Sequence, residues 1–209
     1  MPGLCHARRV STDLTPLQRA GVLAWAVRPL YIVVEVVVAA TATTYSFTGD
    51  TVSDLGAVGC TDAVCSPNHV VMNAAFVVFG VLLAFGAVAI FGRFGRGPAA
   101  VAVTALLVVS GLSSMAVGFT PTDQHPGVHF AVAAPLFVAQ PVALVLLGLL
   151  VRDRRPFVGR VVLVTGVVCA VAALAFLVLD DGAGITERIA LWPVFVVLAV
   201  VAPPGRTRT

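Results

Sequence analysis

The chain has 209 residues, of which 59% are hydrophobic and 11% charged, and its mean hydropathy is +1.01. Soluble domains carry about 25% charged residues, so this composition excludes an ordinary soluble protein and points to an integral membrane protein. The formal net charge of +3 carries no message about nucleic acid; its thirteen cations are all arginine, and their placement is the informative part.

Residues 1–21 read as a short polar tail. They lack an apolar core followed by a small-residue cleavage site, so no cleaved signal peptide is expected. An apolar run from Val22 to Tyr45 is interrupted at Arg28-Pro29, and proline suits a first helical turn, so the first spanning helix is expected at about 29–47. Further apolar runs predict spans at about 68–91, 98–118, 127–151, 157–179 and 184–202, each near the ~20 residues of a bilayer crossing. The transmembrane domain is thus 22–203, and 204–209 form a second tail. All thirteen arginines except Arg188 fall on one side of this arrangement, which by the positive-inside rule is cytoplasmic. The expected fold is an all-α bundle of six transmembrane helices with both termini cytoplasmic, in a bacterial cell (inner) membrane, a setting that the all-arginine usage of a GC-rich genome suits.

Between the first two spans lies the most polar stretch of the chain, Tyr45 to Asn73, with three aspartates, two cysteines, a histidine and no arginine. Cys60 and Cys65 enclose Thr61-Asp62-Ala63-Val64 on the extracytoplasmic side, where a disulfide can persist. A metal pair is the rival reading, but a second cysteine pair is missing. Cys5 is assigned to the cytoplasm, and Cys169 to the interior of a helix as a small apolar residue. Ser53 or Asp54 suits the cap of a short helix in this loop.

Polar groups inside a bilayer are costly and face a cavity or a partner. Arg28, Tyr31 and Glu35 share one helix face. Glu35 reads either as a structural contact to a neighbouring helix or as an unpaired, protonated acid able to donate a proton, since no arginine is expected to reach it at that depth. His69 and Asn73 share a face of the second span, and His125 and His129 share one of the fourth. The three histidines with Asp54 and Asp123 have spacings compatible with a metal site, but two histidines one turn apart are more commonly a polar face, and none is assigned. Ser110, Ser113, Ser114 and Gln140 add polar lining or ordinary small-residue packing. Asp180-Asp181 reads as a solvated loop in preference to a divalent-ion site.

The elements Tyr45-Ser-Phe, Thr51-Val-Ser-Asp-Leu-Gly, Cys65-Ser-Pro-Asn-His, Met72-Asn-Ala-Ala-Phe, Gly118-Phe-Thr-Pro and the helix-opening His129 together resemble the prokaryotic six-helix integral-membrane family called domain of unknown function nine-nine-eight. The resemblance covers roughly residues 28–200 and implies a topology without a chemistry. A looser resemblance, in size, helix number and dispersed intramembrane acids, is to small membrane-bound terpene cyclases. It implies an isoprenoid or lipid substrate and no cofactor. Glu35 or Asp54 would protonate an olefin or epoxide, and His129 would stand among the catalytic residues. Tyr31, Tyr45, Phe76, Phe79 and Trp192 would offer aromatic faces to a carbocation, with His69, Asn73, Asp123 and His125 also at the substrate. An enzyme of this kind, a metal-dependent lipid hydrolase, a proton-coupled transporter and a non-catalytic scaffold remain open, as does the oligomeric state. Asp54, His69 and His129 are expected around one cavity, because short loops keep sequential helices adjacent.

Overall fold

The structure, a computed structural model, describes residues 14–179 and 182–201. Six apolar segments are long enough to cross a membrane: Pro16–Ala39, His69–Ala89, Pro98–Phe119, Pro126–Val151, Pro156–Val178 and Ala183–Val201. The protein is therefore an all-α, multi-pass membrane protein. Among the described residues, β pairing is limited to an isolated bridge between Thr43 and Cys65.

The first span departs from the sequence expectation at both ends. It consists of α1 (Pro16–Ala26) and α2 (Leu30–Ala39), joined through a turn at Val27–Pro29. Pro29 bends a helix already under way instead of opening one, because its ring removes a backbone donor from the interior of the span. The true start is marked by Thr15-Pro16-Leu17-Gln18. Thr15 Oγ1 accepts from the Gln18 amide at 3.2 Å, Gln18 Oε1 accepts from the Thr15 amide at 3.1 Å, and Pro16 occupies the first turn. At the far end helix geometry stops at Ala39, where threonines take over and Thr43 exchanges backbone hydrogen bonds with Cys65 at 3.0 and 3.3 Å.

The remaining spans are α3 (His69–Ala89), α4 (Pro98–Phe119), α5 (Pro126–Val151), α6 (Pro156–Val178) and α7 (Ala183–Val201), with 3-10 turns at Ser53–Gly56 and Phe91–Arg93. Consecutive helices pack side by side, and α1 closes the bundle against α3 and α7. Close approach depends on missing side chains. A Cβ on Gly80 of α3 would lie 2.6 Å from the Gly111 carbonyl oxygen of α4, so these backbones touch through glycine. Trp25 seats α1 on α3, donating from Nε1 to the Leu83 carbonyl at 3.2 Å. One buried cluster, with Trp25, Leu83, Leu107 and Leu144, fills the arginine-rich half; a second, with Tyr31, Leu55, Met72 and Phe76, fills the half beneath the long loop. Exposed Val33, Val78, Val138 and Val171 form the lipid-facing exterior.

Candidate functional site

The loop between α2 and α3 is folded by its own polar residues. Ser46 N–H donates to Asp50 Oδ2 at 2.6 Å, and Gly49 N–H donates to Ser46 Oγ at 3.0 Å. Thr51 and Asp54 cap the 3-10 turn reciprocally. Asp54 N–H donates to Thr51 Oγ1 at 3.2 Å, while Asp54 Oδ2 accepts from the Thr51 amide at 2.8 Å and its hydroxyl at 2.7 Å. Cys60 and Cys65 are disulfide-bonded at the loop's outer edge.

The bundle then grips this loop from several helices. Asn73 donates to the Gly56 carbonyl at 2.9 Å, and Ser66 Oγ donates to the Leu55 carbonyl at 2.7 Å. Asp123 accepts from the amides of Val58 and Gly59 at 3.0 and 2.8 Å. Partial burial works to raise the Asp123 carboxyl, but those two amides and the Gln124 side chain outweigh it and hold the group below the usual carboxylate range. The strongest grip is Arg188 on α7. Its Nε donates to Glu35 Oε1 at 2.8 Å, Nη1 donates to the carbonyls of Phe47 and Gly184 at 2.6 and 2.9 Å, and Nη2 donates to the Tyr45 hydroxyl. Tyr45 in turn donates to the Thr51 carbonyl at 2.9 Å, and Trp192 Nε1 donates to Glu35 Oε2 at 2.8 Å.

This geometry corrects the expectation that Glu35 lies beyond the reach of an arginine. Both its oxygens are bonded, and the side chain is fully buried beside the Arg188 guanidinium. The partner comes from the opposite end of the chain, whereas Arg28 on the same helix face stacks over the Phe195 ring at 4.5 Å and leaves its Nε and Nη1 without partners among the described residues.

The expected convergence of Asp54, His69 and His129 is also corrected. A cavity of about 830 Å³ lies between α5 and α6, and His129 lines it while Asp54 and His69 do not. His69 Nδ1 stays with the Ser66 carbonyl at 3.0 Å, and Asp54 is held in its cap. Tyr31 and Phe76 pack together in the core, with ring centroids 6.1 Å apart, also away from the cavity. Trp192, Tyr45 and Asn73 belong to the loop grip, and His125 is an exposed residue at the N-cap position of α5 whose side chain makes no cap bond. Ser113 and Ser114 donate to carbonyls of α5 and α3, so they tie helices together. Asp180, Asp181 and Cys5 lie outside the described residues.

The cavity owes its volume to small residues, Ala133, Ala134, Ala170 and Ala173, on facing helices. Pro135 and Pro141 interrupt the α5 hydrogen-bond ladder along the same stretch. Phe130, Val138, Leu174 and Leu177 line the cavity yet are exposed on the bundle exterior, so it opens sideways toward lipid. Its walls are almost wholly apolar; its polar end is formed by Thr51, Ser53, Thr122, His129 and Glu187.

At that end the His129 ring is oriented by two bonds. Nδ1 lies 2.6 Å from the Thr120 carbonyl, which can only accept, so in the neutral ring Nδ1 carries the hydrogen and Nε2 is the base. Nε2 sits 3.0 Å from Ser53 Oγ. Glu187 Oε2 accepts the Val52 amide at 2.5 Å, and its other oxygen makes no hydrogen bond to a described residue. Among the described residues no three His, Cys, Asp or Glu side chains gather as metal ligands. The arrangement can bind an amphipathic molecule tail outward and present a base, a hydroxyl and a carboxyl to its polar end.

Ser53, Glu187 and Arg188 were not singled out as site residues from the sequence. The signal was present, because two adjacent charges inside an apolar span require a cavity or a partner; Glu187 has the cavity and Arg188 the partner. No curated protein and no solved structure shows significant similarity to this chain. A family model described as protein of unknown function (DUF998) matches residues 25–203, most of the chain, and the protein therefore belongs to the DUF998 family.

Proposed function

We propose that this protein is a membrane-embedded enzyme that acts on a lipid or isoprenoid by acid–base chemistry, in the bacterial cell membrane with the long loop on the extracytoplasmic side. The observation that carries the reading is the cavity between α5 and α6, open to lipid along apolar walls and closed by His129, Ser53 and Glu187. A substrate dissolved in the bilayer enters sideways, buries its chain along the alanines and phenylalanines, and brings its polar or unsaturated end to the His129 Nε2. An oriented base of this kind contributes about 10²- to 10⁴-fold to a proton transfer. Asp54 and Glu35 support this chemistry from outside the cavity, by shaping the loop that carries Ser53.

Within that reading, acid-initiated cyclisation assigns the proton to a neutral Glu187 in place of Glu35. Glu187 protonates an olefin carbon, the resulting cation migrates within the chain, and His129 Nε2 removes a different proton, so that the product is an isomer of the substrate. Phe130, Phe137 and Phe176 line the same cavity and offer ring faces to the cation. A scaffold is less favoured, because the loop's polar groups are bonded to the bundle and leave little for a partner.

The test is mass spectrometry of total lipids from membranes containing the wild type or His129→Gln, supplemented with linear prenylated substrates. Accumulation of a product with the wild type, and its loss by about 10²-fold in the variant, is the expected outcome. Identical lipid profiles with wild type, variant and empty membranes would overturn the reading.

A further inference from the structure

At the opposite, arginine-rich end of the bundle, a second cavity of about 170 Å³ is lined by Arg93, Arg154 and Arg155 together with Phe94, Leu150 and Val151. The guanidiniums arrive from separate segments, Arg93 from the 3-10 turn after α3 and the other two from the turn between α5 and α6. Among the described residues no carboxylate lines this cavity, and the neighbouring acid, Asp153, faces Arg152 at 3.8 Å in a different recess. Arg155 Nη1 donates to the Val201 carbonyl at 3.3 Å, at the last turn of α7. The side chains of Arg93 and Arg154 make no hydrogen bond to described residues.

Membrane insertion and the carbonyl ends of helices explain why arginines gather on this side. Neither explains a hollow between them, where three like charges repel one another unless an anion stands among them. The depth is right for a lipid. At a rise of ~1.5 Å per residue the 26-residue α5 is about 39 Å long, longer than the ~30 Å hydrocarbon core, so its terminal turn stands at headgroup level. Leu150 and Val151 then face the first acyl carbons while the arginines face the phosphate.

We propose that this cavity binds the phosphate of an anionic membrane phospholipid in the leaflet at the arginine-rich end, as basic recesses between helices do for acidic headgroups. The site is independent of the His129 cavity and of any reaction there. Native mass spectrometry of the full chain, released from micelles containing equal phosphatidylglycerol and phosphatidylcholine, reads the preference directly. The wild type should retain phosphatidylglycerol about tenfold over phosphatidylcholine, one factor of ten being ~1.4 kcal/mol. The double variant Arg93→Gln with Arg154→Gln should lose that preference while Arg155 keeps its bond to α7. Arg96→Gln with Arg160→Gln, which removes the same charge elsewhere on this end, should keep it. Equal retention of both lipids by the wild type, or an unchanged preference in Arg93→Gln with Arg154→Gln, would overturn the proposal. Displacement of the lipid by millimolar inorganic phosphate would also overturn it, by assigning the site to the free anion.

Discussion

Two buried polar centres lie near the same end of this bundle, and they differ in how their hydrogen bonds are used. Around Arg188 the bonding is closed: Glu35 is held by Arg188 and Trp192, and the guanidinium is held by Glu35, Tyr45 and the carbonyls of Phe47 and Gly184. Around His129 it is open, since the ring, Ser53 and Glu187 line a cavity large enough for a lipid chain. A closed network of buried charges rigidifies the fold, whereas groups presented to a cavity remain available for chemistry. The contrast separates an acid bonded on both oxygens inside the bundle, Glu35, from an acid presented to the cavity, Glu187.

The sharpest way to break that contrast is Arg188→Leu. Removing one partner of a buried ion pair costs ~3–5 kcal/mol, because Glu35 would be left buried without its cation. The variant should give a lower melting temperature in detergent and less monodisperse protein by size exclusion, and Glu35→Leu combined with it should recover part of the loss. An unchanged melting temperature in the single variant would mean that the closed network does not hold the loop.

His129→Gln should behave in the opposite way. Turnover is expected to fall by about 10²-fold while stability drops by ~1 kcal/mol, the worth of a hydrogen bond. Parallel loss of folding and activity would move His129 into the structural class.

Opening the disulfide should produce a smaller effect, confined to the loop. The Cys60 to Cys65 bond closes a short ring of sequence separation 5, for which the chain-entropy relation gives ~2 kcal/mol. Cys60→Ser with Cys65→Ser should lower the melting temperature accordingly, and reductant should then have no further effect. Intact-mass analysis of the wild type after alkylation without reductant should show both loop thiols protected.

The smallest expected effect is on the acid side of the pH profile. The Asp123 carboxyl titrates below its unfolded value of about 3.9, so its contribution is complete above that pH and disappears as the pH falls through the folded value. Asp123→Asn should therefore flatten the acid limb of melting temperature against pH and leave the neutral region nearly unchanged. An acid limb identical to wild type would show that the tether to Val58 and Gly59 contributes nothing.

Much of the fold was legible in advance because its signals are local. Runs of about twenty apolar residues located five spans to within two residues of their observed ends. The first span is the exception: Pro29 suits a helix start by its local pattern, but the start lies at Thr15-Pro16-Leu17-Gln18, which carries a capping box and its own first-turn proline. The candidate site was legible only in part. His129 could be singled out as a polar group in an apolar helix, but Ser53 reads as a cap, and Glu187 carries no local signal of what it faces.

Hydropathy, segment length and arginine placement are properties of short stretches, so a six-span membrane protein with one arginine-rich face follows from them directly. Partner choice is not local. Glu35 meets Arg188 across a separation of 153 residues, and His129 meets Ser53 across 76, contacts that exist only once α7 and α5 have packed around the loop. Packing settles which acid meets a cation and which faces a cavity, because a buried charge is defined by what surrounds it and not by its neighbours in the chain.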